Sequence, residues 1–205
     1  GAVTAGDAIT ATTDGKLKKV TEFAQALGTK ADLNTTYAGN MGLAYDPVTG
    51  KVVVLLRDTS SNVTAKVGTT NGTTVSWGTK QTISSGNDPV NCGFYNNVIV
   101  FVYRNSSKAN LRVATVSGTT MTIGSELELT SSNAYDYSAF YNVQNARWIV
   151  GYKYSNNLKL VVGTVSGTTF TKGTETGMMS NKNWYKVIDM PSVNKICAFA
   201  VQKTS

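Results

Sequence analysis

The sequence repeats itself, and the repeat limits the chain to folds built by setting copies of one small unit side by side. Three segments align by eye: TAKVGTTNGTTVSWGTK (64–80), LRVATVSGTTMTIGSE (111–126) and KLVVGTVSGTTFTKGTE (159–175). Each reads as an alternating apolar strand, a tight turn at Gly72, Gly118 or Gly167, and a second strand. Asn71-Gly72 is a preferred dipeptide for a two-residue hairpin, because both central positions need φ > 0. Ser117-Gly118 and Ser166-Gly167 are weaker members of the same class.

A second pair of strands precedes each hairpin, in 41–58, 92–104, 138–153 and 187–203. Each is a small-residue strand, a turn, then a dense apolar run. Runs such as 52–56 (VVVLL) and 98–102 (VIVFV) read as strands buried on both faces. Tyr95, Tyr141 and Met190 each follow the preceding turn glycine by 23 residues, and Tyr45 is the first of that set. One unit is therefore four antiparallel strands in about 47 residues, the size of a propeller blade.

The expected fold is an all-β β-propeller forming one domain over 1–205, with four blades of four antiparallel strands. Three blades occupy 37–86, 87–131 and 132–177. The last combines 178–205 with an N-terminal hairpin inside 1–22, AITATTDGKLKKVTE around Asp14-Gly15. Closure of this kind would remove two exposed sheet edges. A rival reading leaves the repeats open, as a fragment of a longer propeller or of a fibre-like array; the start at Gly1 without Met fits a processed chain or a piece of one. Gly15 to Tyr45 is 30 residues, and the excess lies in 22–37 as a longer loop or one helical turn.

Composition limits the chemistry. There is no histidine, which excludes Ser-His and Cys-His catalytic pairs, and Cys92 and Cys197 fall in different repeats. Two buried free thiols are expected, with no metal site and no cofactor. No apolar run reaches the ~18 residues of a membrane span, and no leader pattern is present. The net charge of +7 is spread mostly singly, with one cluster at Lys16, Lys18 and Lys19, and reads as scattered surface charge.

The segments entering the first strands carry aromatics: Tyr37, Tyr135, Tyr137, Trp184 and Tyr185. On the rim of a propeller they are candidates to stack on sugar rings, helped by Asn133, Asn181 and Asn183. The competing role is packing between blades. Arg57, Arg104 and Lys153 share one repeat position, either a basic arc for polyanions or solvated strand ends. Tyr103 and Tyr152 interleave with them, but Leu56 breaks the aromatic stripe, so specific nucleic-acid binding is not expected. Asp46, Asp88, Asp136, Asp189, Glu126, Glu128 and Glu175 are the carboxylates to weigh as glycosidase pairs. Asp46 aligns with Asn96 and Asn142, and an Asp/Asn position reads as turn chemistry. The expectation is a protein that is not an enzyme.

AYDPVTGKVVVLLRD (44–58), VGTTNGTTVSWGT (67–79) and VGTVSGTTFTKGTE (162–175) resemble repeats in virion proteins of tailed phages, marine and cyanobacterial ones especially; VTAGDAITATTDGKLKKV (3–20) is similar to a module of phage structural proteins. The resemblance covers about 37–205. It implies a structural protein of the virion surface, in a tail fibre, spike, nozzle or head decoration. Its partners would be other virion proteins and copies of itself, and a bacterial surface glycan. A stand-alone lectin-like domain and a purely structural unit are the alternatives. The last repeat departs from the pattern at Asp189-Met190-Pro191.

Overall fold

A computed structural model describes residues 9–11, 17–19, 41–71, 74–85, 88–131, 134–180, 184–190 and 195–201. Every element among them is a β-strand, and all pairings are antiparallel. A first sheet holds β3 (Met41–Asp46), β4 (Lys51–Arg57), β5 (Val63–Asn71) and β6 (Thr74–Trp77), with β7 (Gln81–Ser84) also on β5. The second holds β8 (Asp88–Tyr95), β9 (Val98–Asn105), β10 (Lys108–Ser117) and β11 (Thr120–Ile123), with β12 (Leu127–Glu128) on β10. The third runs β13 (Ala134–Asn142), β14 (Arg147–Tyr154), β15 (Asn157–Ser166) and β16 (Thr169–Ser180). β17 (Trp184–Met190) and β18 (Lys195–Val201) form a fourth sheet, and β1 (Ile9–Ala11) with β2 (Leu17–Lys19) a separate hairpin. The four-strand unit is thus present three times. Asp14-Gly15 lies outside the described residues, and among those described no pairing joins the hairpin to β18.

The dense apolar runs have a simple cause. Successive side chains of a strand point to opposite faces, so a strand between two neighbours needs both sets apolar. On β9, Ile99, Phe101 and Tyr103 enter the core shared with the first sheet, whereas Val100 and Val102 enter the core shared with the third. A third cluster joins Leu158 and Leu160 to Tyr185 and Val187 of the fourth sheet. The sheets therefore stack face to face in chain order, with their first strands adjacent: β3 on β8, β8 on β13, β13 on β17.

The hairpins after each third strand are two-residue turns. Ser117 pairs with Thr120, and Ser166 with Thr169, so the turn residues are Gly118-Thr119 and Gly167-Thr168, one position later than the dipeptides read from sequence. Only the glycine has positive φ, 58° at Gly118 and 56° at Gly167, which is the glycine-first hairpin turn. A Cβ at Gly118 would meet no atom within 4 Å, so Gly118→Val carries only the left-handed backbone penalty. It should lower stability by about 1–2 kcal/mol and speed amide exchange in β10 and β11; unchanged exchange would refute the turn assignment. Gly72 lies outside the described residues.

One expected alignment shifts. Met190 pairs with Lys195, five positions on, as Asp46 does with Lys51 and Asn142 with Arg147. Met190 thus occupies the Asp46 position, and Asp189 takes the place of Tyr45 and Tyr141. Equal spacing along the chain did not report equal register.

Candidate functional site

Neighbouring sheets are joined by polar contacts at the turns that follow the first strands. The Asp46 carboxylate is fully buried. Its Oδ1 accepts from the backbone N–H of Val48 at 3.0 Å and of Asn96 at 2.8 Å. Its Oδ2 accepts from the Thr49 hydroxyl at 2.5 Å and the Asn97 N–H at 2.8 Å. One carboxylate thereby closes its own turn and holds the turn of the next sheet. Burial would push it up, but the N–H of Asn97, the Thr49 hydroxyl and the N–H groups of Asn96 and Val48 hold it below the usual carboxylate range. Asn142 does the same for the third sheet: its Oδ1 accepts from the Asn145 N–H, and its Nδ2 donates to Asp189 of the fourth, both at 2.9 Å. Further along the first strands, the Ala139 N–H donates to Asn91 Oδ1 at 3.3 Å and the Val187 N–H to Ser138 Oγ at 3.4 Å.

These joints frame a cleft of about 330 Å³ to which all four sheets contribute: Tyr45 and Pro47, Phe94 and Tyr95, Phe140 and Tyr141, and Asp189. Tyr95 stacks on Tyr141 with ring centroids 4.2 Å apart and planes 16° apart, and Trp148 meets Tyr141 edge-on at 5.3 Å. Tyr45 is 56% exposed although its neighbour Asp46 is buried. A second hollow of about 260 Å³ shares Cys92, Ala139, Phe140 and Asp189 with the first and extends to Leu43, Asn91 and Lys186. Another hollow, about 450 Å³, lies at the edge of the third sheet by Asn157, Lys159 and Met178, away from the inter-sheet aromatics. Tyr45, Tyr95 and Tyr141 entered the sequence reading only as spacing markers. Their repetition at the end of the first strand was the signal that they converge.

Among the residues first considered for stacking, Tyr135, Tyr137 and Tyr185 are described, and they do not converge. Tyr137 packs in the core between the second and third sheets, with its hydroxyl donating to the Ala134 carbonyl at 2.8 Å. Tyr185 packs between the third and fourth and donates to the Asn156 carbonyl at 2.7 Å. Both take the between-sheet role. Tyr135 stays 42% exposed, with the Arg104 guanidinium 5.1 Å from its ring centre. The divergence of Tyr135 and Tyr137 comes from a register shift between Tyr135 and Ser138, where Asp136 has φ of +50°. Tyr37, Asn133, Asn181 and Asn183 lie outside the described residues, as does the side chain of Trp184.

The basic arc and the aromatic stripe also resolve into structural contacts. Arg104 sits over Tyr135 of the next sheet, and an Arg57 guanidinium nitrogen donates to Ser61 Oγ at 3.0 Å. Tyr103 and Tyr152 are fully buried, so neither ring is available to a nucleobase. Their hydroxyls donate to Glu126, at 2.5 Å, and to Glu175. Burial first, and then the carboxylate beside it, pushes each phenol above its ordinary pKa.

Each described candidate carboxylate has a structural partner. Glu128 pairs with Lys108 at 2.7 Å. Glu175 meets Lys159 at 3.3 Å and Lys172 at 3.6 Å; burial raises its pKa, but the Tyr152 hydroxyl and these lysines hold it low. Asp136 is raised by burial against the pull of Lys153, the Tyr185 N–H and Lys186. Nothing is described of the Asp88 side chain. Cys92 is buried and its thiol is pushed up to about 12 by that burial, whereas Cys197 is partly exposed rather than buried; both are free. Among the described residues no three His, Cys, Asp or Glu side chains group to hold a metal, and no helix is long and apolar enough to cross a membrane. The arrangement suits holding a ligand or a neighbouring chain, because the cleft presents aromatic faces and its lone carboxylate is pinned by an amide.

No family model and no curated protein matches the sequence. A chain in a crystal structure of a nidogen/laminin complex is similar in structure, with a TM-score of 0.52 and 14% sequence identity, over 78% of this chain and 56% of that one. At that identity the likeness concerns the fold alone. This chain spans little more than half the length of that neighbour.

Proposed function

We propose that this chain is a non-enzymatic module of a phage virion appendage, serving assembly or attachment to a bacterial surface. In this reading it is held among other virion proteins and copies of itself. The sequence repeats supply the virion assignment. The observation that carries the module reading is the repeated joint between sheets: Asp46 to Asn96 and Asn97, then Asn142 to Asp189. Such joints make a rigid scaffold, and the weighed carboxylates whose side chains are described make contacts within it. Intact-mass measurement and N-terminal reading on purified particles tests the assignment. Absence of this chain from the particle would overturn it.

The finer architecture we infer is a four-bladed propeller whose last blade is completed by the β1–β2 hairpin. Three features support it. Four first strands contribute to one cleft. β4, β9 and β14 are paired on both sides, whereas β18 pairs with β17 alone among the described residues. Gly78 and Gly124 each lie against the hairpin turn of the following sheet, at Thr119 and Thr168, and Gly173 repeats that position. Single cysteines at residues 8–11, in a Cys92→Ala background, test the inference by oxidation against Cys197. A disulfide within one chain at one face of the strand is the expected result. Cross-linking only between chains, or none, would refute closure within the chain.

A further inference from the structure

We propose that the cleft at the ends of the four first strands is a saccharide site, holding one pyranose ring on the exposed face of Tyr45. It rests on the attachment reading above only for the biological source of the sugar. A pyranose has an apolar C–H face and a rim of hydroxyls, so it needs an aromatic plane and a hydrogen-bond acceptor at right angles to it. Tyr45 supplies the plane: it is 56% exposed, and it stands beside Asp46, whose four accepted hydrogen bonds fix the turn. An aromatic anchor on a fixed backbone loses little freedom on binding. The stacked pair Tyr95–Tyr141 forms another wall of the same cleft. Asp189 supplies the acceptor. Asn142 Nδ2 orients its carboxylate at 2.9 Å, and two carboxylate oxygens offer about four acceptor positions, so ligand hydroxyls have room to donate as well.

Size and charge narrow the ligand. The cleft, at about 330 Å³, is at the small end of ligand pockets and matches one sugar ring. The adjoining hollow of about 260 Å³, which shares Asp189, offers a place for a second. A carboxylate beside the rings repels phosphates, which argues against nucleic acid and for a neutral hexose or N-acetylhexosamine.

Thermal unfolding and calorimetry of the full chain with glucose, galactose, mannose, N-acetylglucosamine and N-acetylgalactosamine test the site. At least one sugar should raise the melting temperature. Tyr45→Phe should retain that binding. Tyr45→Ala and Asp189→Asn should each weaken it by about tenfold or more. The melting temperature of the free protein should change little, because the amide in Asp189→Asn keeps an oxygen to accept from Asn142. No binding by any of these sugars, or undiminished binding by Tyr45→Ala, would overturn the site. Sugar binding by a protein absent from the virion would uphold the site and refute the virion assignment. A virion protein indifferent to all five sugars would do the reverse.

Discussion

Asp46→Ala should lower the unfolding free energy by about 4 kcal/mol, the largest effect expected of any single polar substitution here. The side chain is fully buried and accepts from three backbone N–H groups and a hydroxyl. Removing it leaves donors from two sheets without their acceptor in a site closed to water. Asp46→Asn should cost about half as much, because the amide keeps one acceptor oxygen and turns an NH₂ toward N–H donors. Denaturant unfolding at neutral pH measures both. The same contact predicts a pH dependence. Asp46 is held below its ordinary pKa in the folded state, so the folded form favours the carboxylate. Its contribution is complete above the unfolded pKa of about 3.9 and is lost as pH falls through the folded value. Asp46→Asn should therefore lose less stability than the native protein on acidification. Asp58 and Glu175, also held low, add to the same limb, whereas Asp136, held high by burial, opposes it. An acid limb identical in both proteins would refute the assignment.

Gly124→Ala should cost about 3 kcal/mol, although it adds one methyl group to a residue that is only half-buried. A Cβ built there would lie 2.2 Å from the Thr168 carbonyl oxygen and 2.8 Å from the Thr168 Cβ. Both belong to the hairpin turn of the following sheet, so relief requires moving one sheet against another. Gly78 stands in the same relation to Thr119, whose nearest atoms would be 2.5–2.7 Å away. Gly177→Ala is the control. Its nearest atom would be the Lys159 ammonium at 3.9 Å, at the end of a long side chain, and it should change stability by less than about 0.5 kcal/mol. Equal effects at positions 124 and 177 would show that the penalty is not the inter-sheet contact.

Much of the fold was legible before any coordinates. Strand alternation, turn glycines and a unit of about 47 residues are local signals, each read within a few residues of chain. They led to four-strand antiparallel units, and three of these are present in full. The burial of both faces over 53–56 and 99–102 was equally readable, because an unbroken apolar run has no solvent face to offer, while Val52 and Val98 at the run ends are only partly buried. The role of the Asp46 position was half legible: its chemistry pointed to a turn, but nothing in the sequence said that the turn held belonged also to the next sheet.

The candidate site was less legible, for a physical reason. Whether a side chain on a strand faces core or solvent depends on register, and a shift of one residue reverses it. Tyr135 and Tyr137 look equivalent in sequence, yet the bulge at Asp136 sends one outward and the other into the core. Met190 sits at the tyrosine spacing, yet its strand pairs so that Asp189 arrives beside Tyr95 and Tyr141. By itself the sequence determined the strands, the turns and the repeat, since these follow from propensity and periodicity along a few neighbouring residues. Tertiary structure alone decided which aromatic rings meet, which carboxylates are consumed by contacts between sheets, and that Tyr45 is left facing open space, because those outcomes depend on how one sheet is set against the next.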